Sequence, residues 1–158
     1  MIYSQKGNPW DFLTIYNADS CQIEFKKMDN FFKEGPLCGQ LYVNGKLVDY
    51  PQCDGFGGPP LITKEYLYTP VYQRNLLGFK DIIGAFIAEI DLQNLSVRII
   101  GKKQELIHIA YMDNGKLFFY DSCKDNQRNI KSVDINEGFI PYTFRDKMRY
   151  LYKFLKSL

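Results

Sequence analysis

Apolar and polar positions alternate with a period of two through much of the chain, which is the signature of antiparallel strands with one buried face. Phe86, Ala88, Ile90 and Leu92 alternate with Ile87, Glu89 and Asp91, and the turn residues Gln93-Asn94 then lead into Ser96–Ile100. The dipeptide Asn44-Gly45 separates Leu41–Val43 from Lys46–Val48, and Asp113-Asn114-Gly115 separates Ile107–Met112 from Lys116–Tyr120. Asn-Gly suits such hairpins because both turn residues need positive φ. Further strands are predicted at Phe12–Tyr16, Cys21–Phe25 and Leu67–Gln73. Both turns continue as Asn-Gly-Lys-Leu, at Asn44–Leu47 and Asn114–Leu117, but their flanks do not match, so there is no internal repeat. Asp54 to Pro60, Asp-Gly-Phe-Gly-Gly-Pro-Pro, reads as a loop that separates an N-terminal from a C-terminal β segment.

The period changes at the end of the chain. Thr143 and Asp146 form a variant capping box, and Phe144, Met148, Leu151, Tyr152, Leu155 and Leu158 follow at helical spacing, which predicts an amphipathic helix over about 143–157. Arg145, Arg149, Lys153 and Lys156 fall on its opposite side. Residues 142–158 hold five basic residues and one acidic, a net of +4, whereas 1–141 hold 15 basic and 17 acidic, a net of −2. The positive excess therefore belongs to this helix.

At 158 residues the chain is long enough for one domain with its own core. Aromatic residues make up 16%, which tilts the class toward β. The fold expected is mainly β (β-rich α+β), a single domain over 1–158. It is an antiparallel sandwich or strongly curved meander sheet closed on one side by the C-terminal helix.

The net charge of +2 gives no electrostatic reason for a nucleic-acid or anionic-membrane partner. The longest apolar run, Ile82 to Ala88, is seven residues, well short of the ~20 needed to cross a bilayer. The first ten residues have no secretory-signal pattern, so a cytoplasmic location is expected. Cys21, Cys38, Cys53 and Cys123 are widely spaced with no C-x-x-C pair, which signals reduced structural thiols rather than zinc or redox chemistry. A pairing such as Cys38 with Cys53 becomes attractive only in an exported protein.

No motif identifies a reaction, and no catalytic residue, metal or cofactor is assigned. The glycine-rich stretch lacks the Lys-Ser/Thr and the following helix of a phosphate cradle. Its prolines suit a rigid display loop, which makes Phe56 a candidate partner contact. His108 is the single histidine and lies on a predicted strand face with Leu106, Ala110 and Met112, where a structural role outweighs a catalytic one. Tyr66, Tyr68, Pro70, Tyr72 and Arg74 share one strand face, and because Pro70 cannot donate to a ladder, the strand belongs at a sheet edge or contains a break. An exposed Tyr/Arg stripe is the composition of a protein-binding hot spot, so Tyr66, Tyr68, Tyr72 and Arg74 join Phe56 as candidate contacts. The plainer reading, that these rings pack a core beneath the C-terminal helix, carries more weight.

A β-rich single domain with many aromatics, one histidine, no catalytic signature and a terminal helix resembles the immunity proteins of bacterial polymorphic and contact-dependent toxins. The likeness is one of layout over the whole chain. It implies a non-enzymatic protein that binds a cognate toxin domain and blocks it, as a monomer or homodimer. Immunity proteins against nucleases tend to be acidic, and a pI near 8.2 departs from that pattern. The alternative reading is a small hydrolase or ligand-binding β-barrel with a pocket near His108.

Overall fold

The two Asn-Gly hairpins form where the sequence places them. Asn44 and Gly45 take φ of 49° and 78°, and Asn114 and Gly115 take 48° and 72°, the left-handed pair that a two-residue hairpin turn requires. The computed structural model describes residues 1–19, 21–31, 33–50, 53–73, 84–121 and 129–138, with scattered positions from 148 onward. The described residues are mostly strand, in antiparallel sheets of which none closes into a barrel.

A nine-stranded sheet has the order β12-β11-β10-β8-β6-β5-β4. Its strands are β4 (Ile15–Asn17), β5 (Gln22–Asn30), β6 (Leu37–Val43), β8 (Gly55–Phe56), β10 (Tyr66–Gln73), β11 (Gly84–Asp91) and β12 (Val97–Gln104). The short β7 (Lys46–Leu47) pairs with β6, and β9 (Leu61–Ile62) pairs with β10. A four-stranded sheet runs β1 (Ile2–Tyr3), β13 (His108–Asp113), β14 (Lys116–Tyr120) and β15 (Ile130–Asp134), and β2 (Gly7–Asn8) pairs with β3 (Asp11–Phe12).

Two cores lie on opposite faces of β10 and β11. Leu67, Val71, Phe86, Ala88 and Ile90 share one with Ile23, Phe25, Leu41 and Val43, so the large sheet must curl until β10–β11 meets β5–β6 across its own concave face. Tyr68, Tyr72, Ala85 and Ile87 share the other with Ile107, Ile109, Leu117, Phe119 and Val133 of the four-stranded sheet and the turn before it. A buried Leu, Ile or Phe in either layer contributes roughly 1.5–3 kcal/mol. The layer over Tyr68 and Tyr72 is thus a second sheet, where the sequence predicts a helix. That helix, over 143–157, lies for the most part outside the described residues; Met148, Tyr152 and Leu155 of its apolar face are described and are exposed.

β10 is central rather than an edge strand, and Pro70 explains how. The Pro70 carbonyl accepts from the Gly57 amide at 2.7 Å, so its nitrogen also points to the β8/β9 side. The ladder breaks there: β8 pairs as Val71 with Phe56, and β9 pairs as Leu67 with Ile62, two residues out of step. The missing N–H falls in that gap, and the Thr69 hydroxyl donates to the Gly57 carbonyl instead.

The glycine-rich segment is a seam, not a display loop. Residues 55–61 are all buried, and β8 joins β6 to β10 through Gly39 opposite Phe56 and Val71 opposite Phe56. A Cβ on Gly57 would lie 2.5 Å from the Tyr72 ring and 3.1 Å from the Leu37 carbonyl oxygen. On Gly39, facing the β5 bulge between Lys26 and Asp29, it would lie 2.5 Å from the Lys26 carbonyl oxygen.

Gly57→Ala and Gly39→Ala should therefore each destabilise by about 1–3 kcal/mol, the range for overpacking a closed site. Gly138→Ala, with nothing within 4 Å, should stay within about 0.5 kcal/mol of the parent. Urea denaturation of the three variants checks this; equal midpoints would show that the seam is not tightly closed.

Candidate protein-contact face

Burial removes most of the sequence-predicted contacts from the surface. Tyr68 is 1% exposed, Tyr72 is buried completely and Phe56 is 3% exposed, while Tyr66 is half-buried. Arg74 lies outside the described residues. Tyr66 and Tyr68 stand 6.3 Å apart, and Tyr72 packs on Phe31 at 5.1 Å. The stripe is core because β10 has a layer on each side.

One charged group is buried within that core. Glu89 stands between Tyr68 and Arg98 in the register of β10, β11 and β12. Its carboxylate accepts from the Tyr68 hydroxyl at 2.8 Å and from Arg98 Nε and Nη2 at 3.0 Å each. Arg98 Nη2 also donates to the Ile135 carbonyl, just past β15. A buried carboxylate is tolerable only when its oxygens are satisfied, and here three donors do so. Burial, and then the bond to Glu89, hold the Tyr68 phenol well above its usual range. The trio ties three strands to the second sheet. With three donors on its carboxylate and its phenol out of solvent's reach, the trio has the geometry of a structural clamp.

Two of the molecule's clefts lie wholly among the described residues, and neither of these two contains His108. The larger, about 520 Å³, lies beside the seam and has Asp29, Asp49, Asp54, Lys27, Cys38 and Cys53 in its wall. Cys53 donates to the Tyr50 carbonyl at 3.3 Å, and burial, with Asp54 and Cys38 adding, pushes its thiol up to about 12. Such a thiol is a poor nucleophile at neutral pH. Among the described residues no group of three His, Cys, Asp or Glu side chains could hold a metal, and no helix is long and apolar enough to cross a membrane.

An aromatic row lies on the outer face of the four-stranded sheet, with Tyr3 exposed and Tyr111, Phe118 and Tyr120 half-buried. Ile109, Leu117, Phe119 and Val133 point into the core, so alternate residues point out. A register shift between Ile109 and Tyr111 inserts Ala110 as an extra residue, which turns Tyr111 outward and Met112 inward. The face shared by His108 and Met112 in the sequence reading is split by this bulge. Tyr3, Tyr111, Phe118 and Ser132 then form one row across β1, β13, β14 and β15, and His108, Tyr120 and Ile130 form the next. Tyr111 and Phe118 stack at 4.6 Å and 18°, Tyr3 lies 6.0 Å from Tyr111, and His108 lies 5.9 Å from Tyr120. Tyr3 is 66% exposed and Ile130 44%. Neither row holds a Lys, Arg, Asp or Glu; charge returns only at the hairpin end, where Asp113, Lys116 and Asp134 are aligned.

Comparison with protein-family models, curated proteins and solved structures finds no match to the chain. The geometry alone therefore bears on function.

Titration follows from the burial. Desolvation pushes the Tyr16 phenol up to about 12, against the smaller opposing pull of the Leu13 backbone, and it also raises Tyr50 and Tyr68. In the unfolded chain these phenols ionise near 10.0, so above that pH the unfolded state binds fewer protons than the folded state and stability falls as pH rises. Their contribution is complete below pH 10 and is lost progressively toward pH 12. Chemical denaturation at pH 8, 10 and 11.5, with tyrosinate absorbance as a second probe, should show a falling midpoint and phenols that ionise together with unfolding. Free titration of all the tyrosines in a folded chain would contradict it.

Proposed function

We propose that this chain is a non-enzymatic protein-binding module that uses the outer face of its four-stranded sheet, and that it acts as an immunity protein neutralising a cognate bacterial toxin domain. The observation that carries the binding role is the uncharged aromatic row on the outer face of this sheet, with Tyr3 exposed and Tyr111 and Phe118 half-buried beside it. Aromatic anchors of this kind supply most of the energy of protein interfaces. A nucleic-acid platform would interleave its rings with Lys and Arg, which these two rows lack. A sugar or base would need open ring faces, whereas Tyr111 and Phe118 turn a face toward each other. The choice of a toxin domain as partner rests on the layout: a β-rich domain without catalytic signature, in which the one carboxylate buried among the described residues is committed to a structural clamp.

The test is binding of the purified chain to the product of the gene beside its own. The immunity reading expects a toxin domain there and a tight complex that abolishes its activity. Tyr111→Ala and Phe118→Ala should each weaken that complex by about 2 kcal/mol or more, roughly thirtyfold, while Tyr3→Ala weakens it without moving the melting temperature. A neighbour with no toxin domain overturns the immunity assignment. Undiminished affinity in all three variants overturns the face.

A further inference from the structure

Two apolar surfaces lie close together along the chain. One is the outer face of the four-stranded sheet, where Tyr3 and Ile130 are 66% and 44% exposed and Tyr111, Phe118 and Tyr120 are half-buried. The other is the stripe Met148, Leu151, Tyr152 and Leu155, all helical, in which Leu151 is half-buried and the rest are exposed. A short helix with its apolar side in water is marginal, because helical stability in proteins comes mostly from packing that side against another layer. Connectivity brings the two surfaces together. β15 is an edge strand of the sheet, and the chain leaving it is fastened at the hairpin end, where the Ile135 amide donates to the Gly115 carbonyl at 3.0 Å. From Gly138 the chain to Met148 can span up to about 33 Å. The four strands are only about 14 Å across, and the stripe from Met148 to Leu155 is about 10 Å long, so every part of the face is within reach.

We propose that the chain's own C-terminal helix docks on this face, with Leu151 and Leu155 against Tyr111, Phe118 and Ile130. Charge selects the face. Its two aromatic rows hold no Lys, Arg, Asp or Glu, so an apolar stripe laid on them desolvates no charge. The outer row of the other half-sheet, Ile15, Glu24, Tyr42 and Leu47, is unsuitable: Lys26 lies 3.8 Å from the Glu24 carboxylate and 4.6 Å from the centre of the Tyr42 ring. The basic side of the helix, opposite the stripe, stays in solvent. A short tether also keeps the helix at a high effective concentration beside its site, which a free competitor must overcome. The docking needs no partner. Its regulatory consequence, that a partner reaches the face only by displacing the helix, rests on the partner reading above.

Methyl-to-ring NOEs in the isotopically labelled full chain test the docking with no partner present, so a failure of the partner reading leaves the result untouched. The Leu151 and Leu155 methyls should show NOEs to the Tyr111 and Phe118 rings, alike at low and high protein concentration. Leu151→Asp should abolish them, move both ring resonances and speed amide exchange at residues 148–156 by about tenfold or more, with exchange in β11 and β13 unaltered. Ile130→Asp, at an exposed position on the sheet, should speed exchange in the same helical residues. The parent chain's NOEs decide alone if a variant does not fold. Absence of these NOEs, NOEs from the stripe to another surface, or ring resonances unmoved in Leu151→Asp would each overturn the proposal. So would NOEs that arise only at high concentration, which would make a second copy the occupant.

Discussion

The fold depends on a steric constraint at Gly55–Pro60. The large sheet has two halves, β4–β7 and β9–β12, and β8 is the two-residue strand that joins them. To pair with both β6 and β10 it must lie deep between their side chains, and the space there admits almost no atoms beyond backbone. A Cβ on Gly55 would sit 2.9 Å from the Cys38 sulfur, one on Gly57 would meet the Tyr72 ring, and one on Gly58 would sit 2.6 Å from the Phe12 ring. The single large side chain of the strand, Phe56, goes into the concave core. Were the seam to open, each half-sheet would expose the edge it now pairs and the aromatic layer it now covers. Glycine is thus required at these three positions by close approach, and none has the positive φ that would be the other reason for it.

Joining the halves puts β10 and β11 between two cores, and the Glu89 clamp follows from that position. The sequence alternates in β10 and β11 as though one face were wet, yet both faces are covered. A strand with two buried faces usually reads as a continuous apolar run. Here the exceptions to such a run are Thr69, Pro70 and Glu89, and each has a local solution: the Thr69 hydroxyl serves the Gly57 carbonyl, Pro70 faces the ladder break, and Glu89 is held by Tyr68 and Arg98.

The parts of the fold legible in the sequence were those decided by residues close together in the chain. Asn44-Gly45 and Asn114-Gly115 specify their hairpins through local φ preferences, and the alternation from Phe86 to Leu92 specifies β11. What could not be read depended on distant partners. Pro70 limits one side of one residue, and only the position of the β8/β9 break decides that the strand is central. Tyr68 and Tyr72 have the composition of a hot spot or of a core, and a layer more than thirty residues away in sequence decides between them. The aromatic face was hidden for the same reason. Tyr111 falls in step with Ile107 and Ile109 until the bulge at Ala110 turns it outward, and its row is completed by Tyr3, from the other end of the chain. An aromatic in phase with buried neighbours, one residue before a turn, was the available signal, and it was too weak to use.

The sheet margins bear on how a partner could bind. A partner could add a strand to an open edge or pack against a face, and three of the four edges of the two larger sheets are poorly suited to addition, while the fourth, β15, is five residues long and carries Lys131. β1 and β4 are two and three residues long, too short for a stable ladder. β12 is eight residues long, but Gly101 takes φ +73° and the pairing with β11 slips between Ala85 and Ile87, so its margin bends beside Lys102 and Lys103. A bulge and lysines on an edge strand are the usual protection against strand addition. The outer face of the four-stranded sheet has no Lys, Arg, Asp or Glu between its aromatic rings, of which Tyr3 is exposed and Tyr111 and Phe118 are half-buried. A partner is therefore expected to meet side chains rather than backbone. Its specificity would then lie in the fit of its own surface to the ridge of Tyr111 and Phe118, since no ladder is there to impose a register.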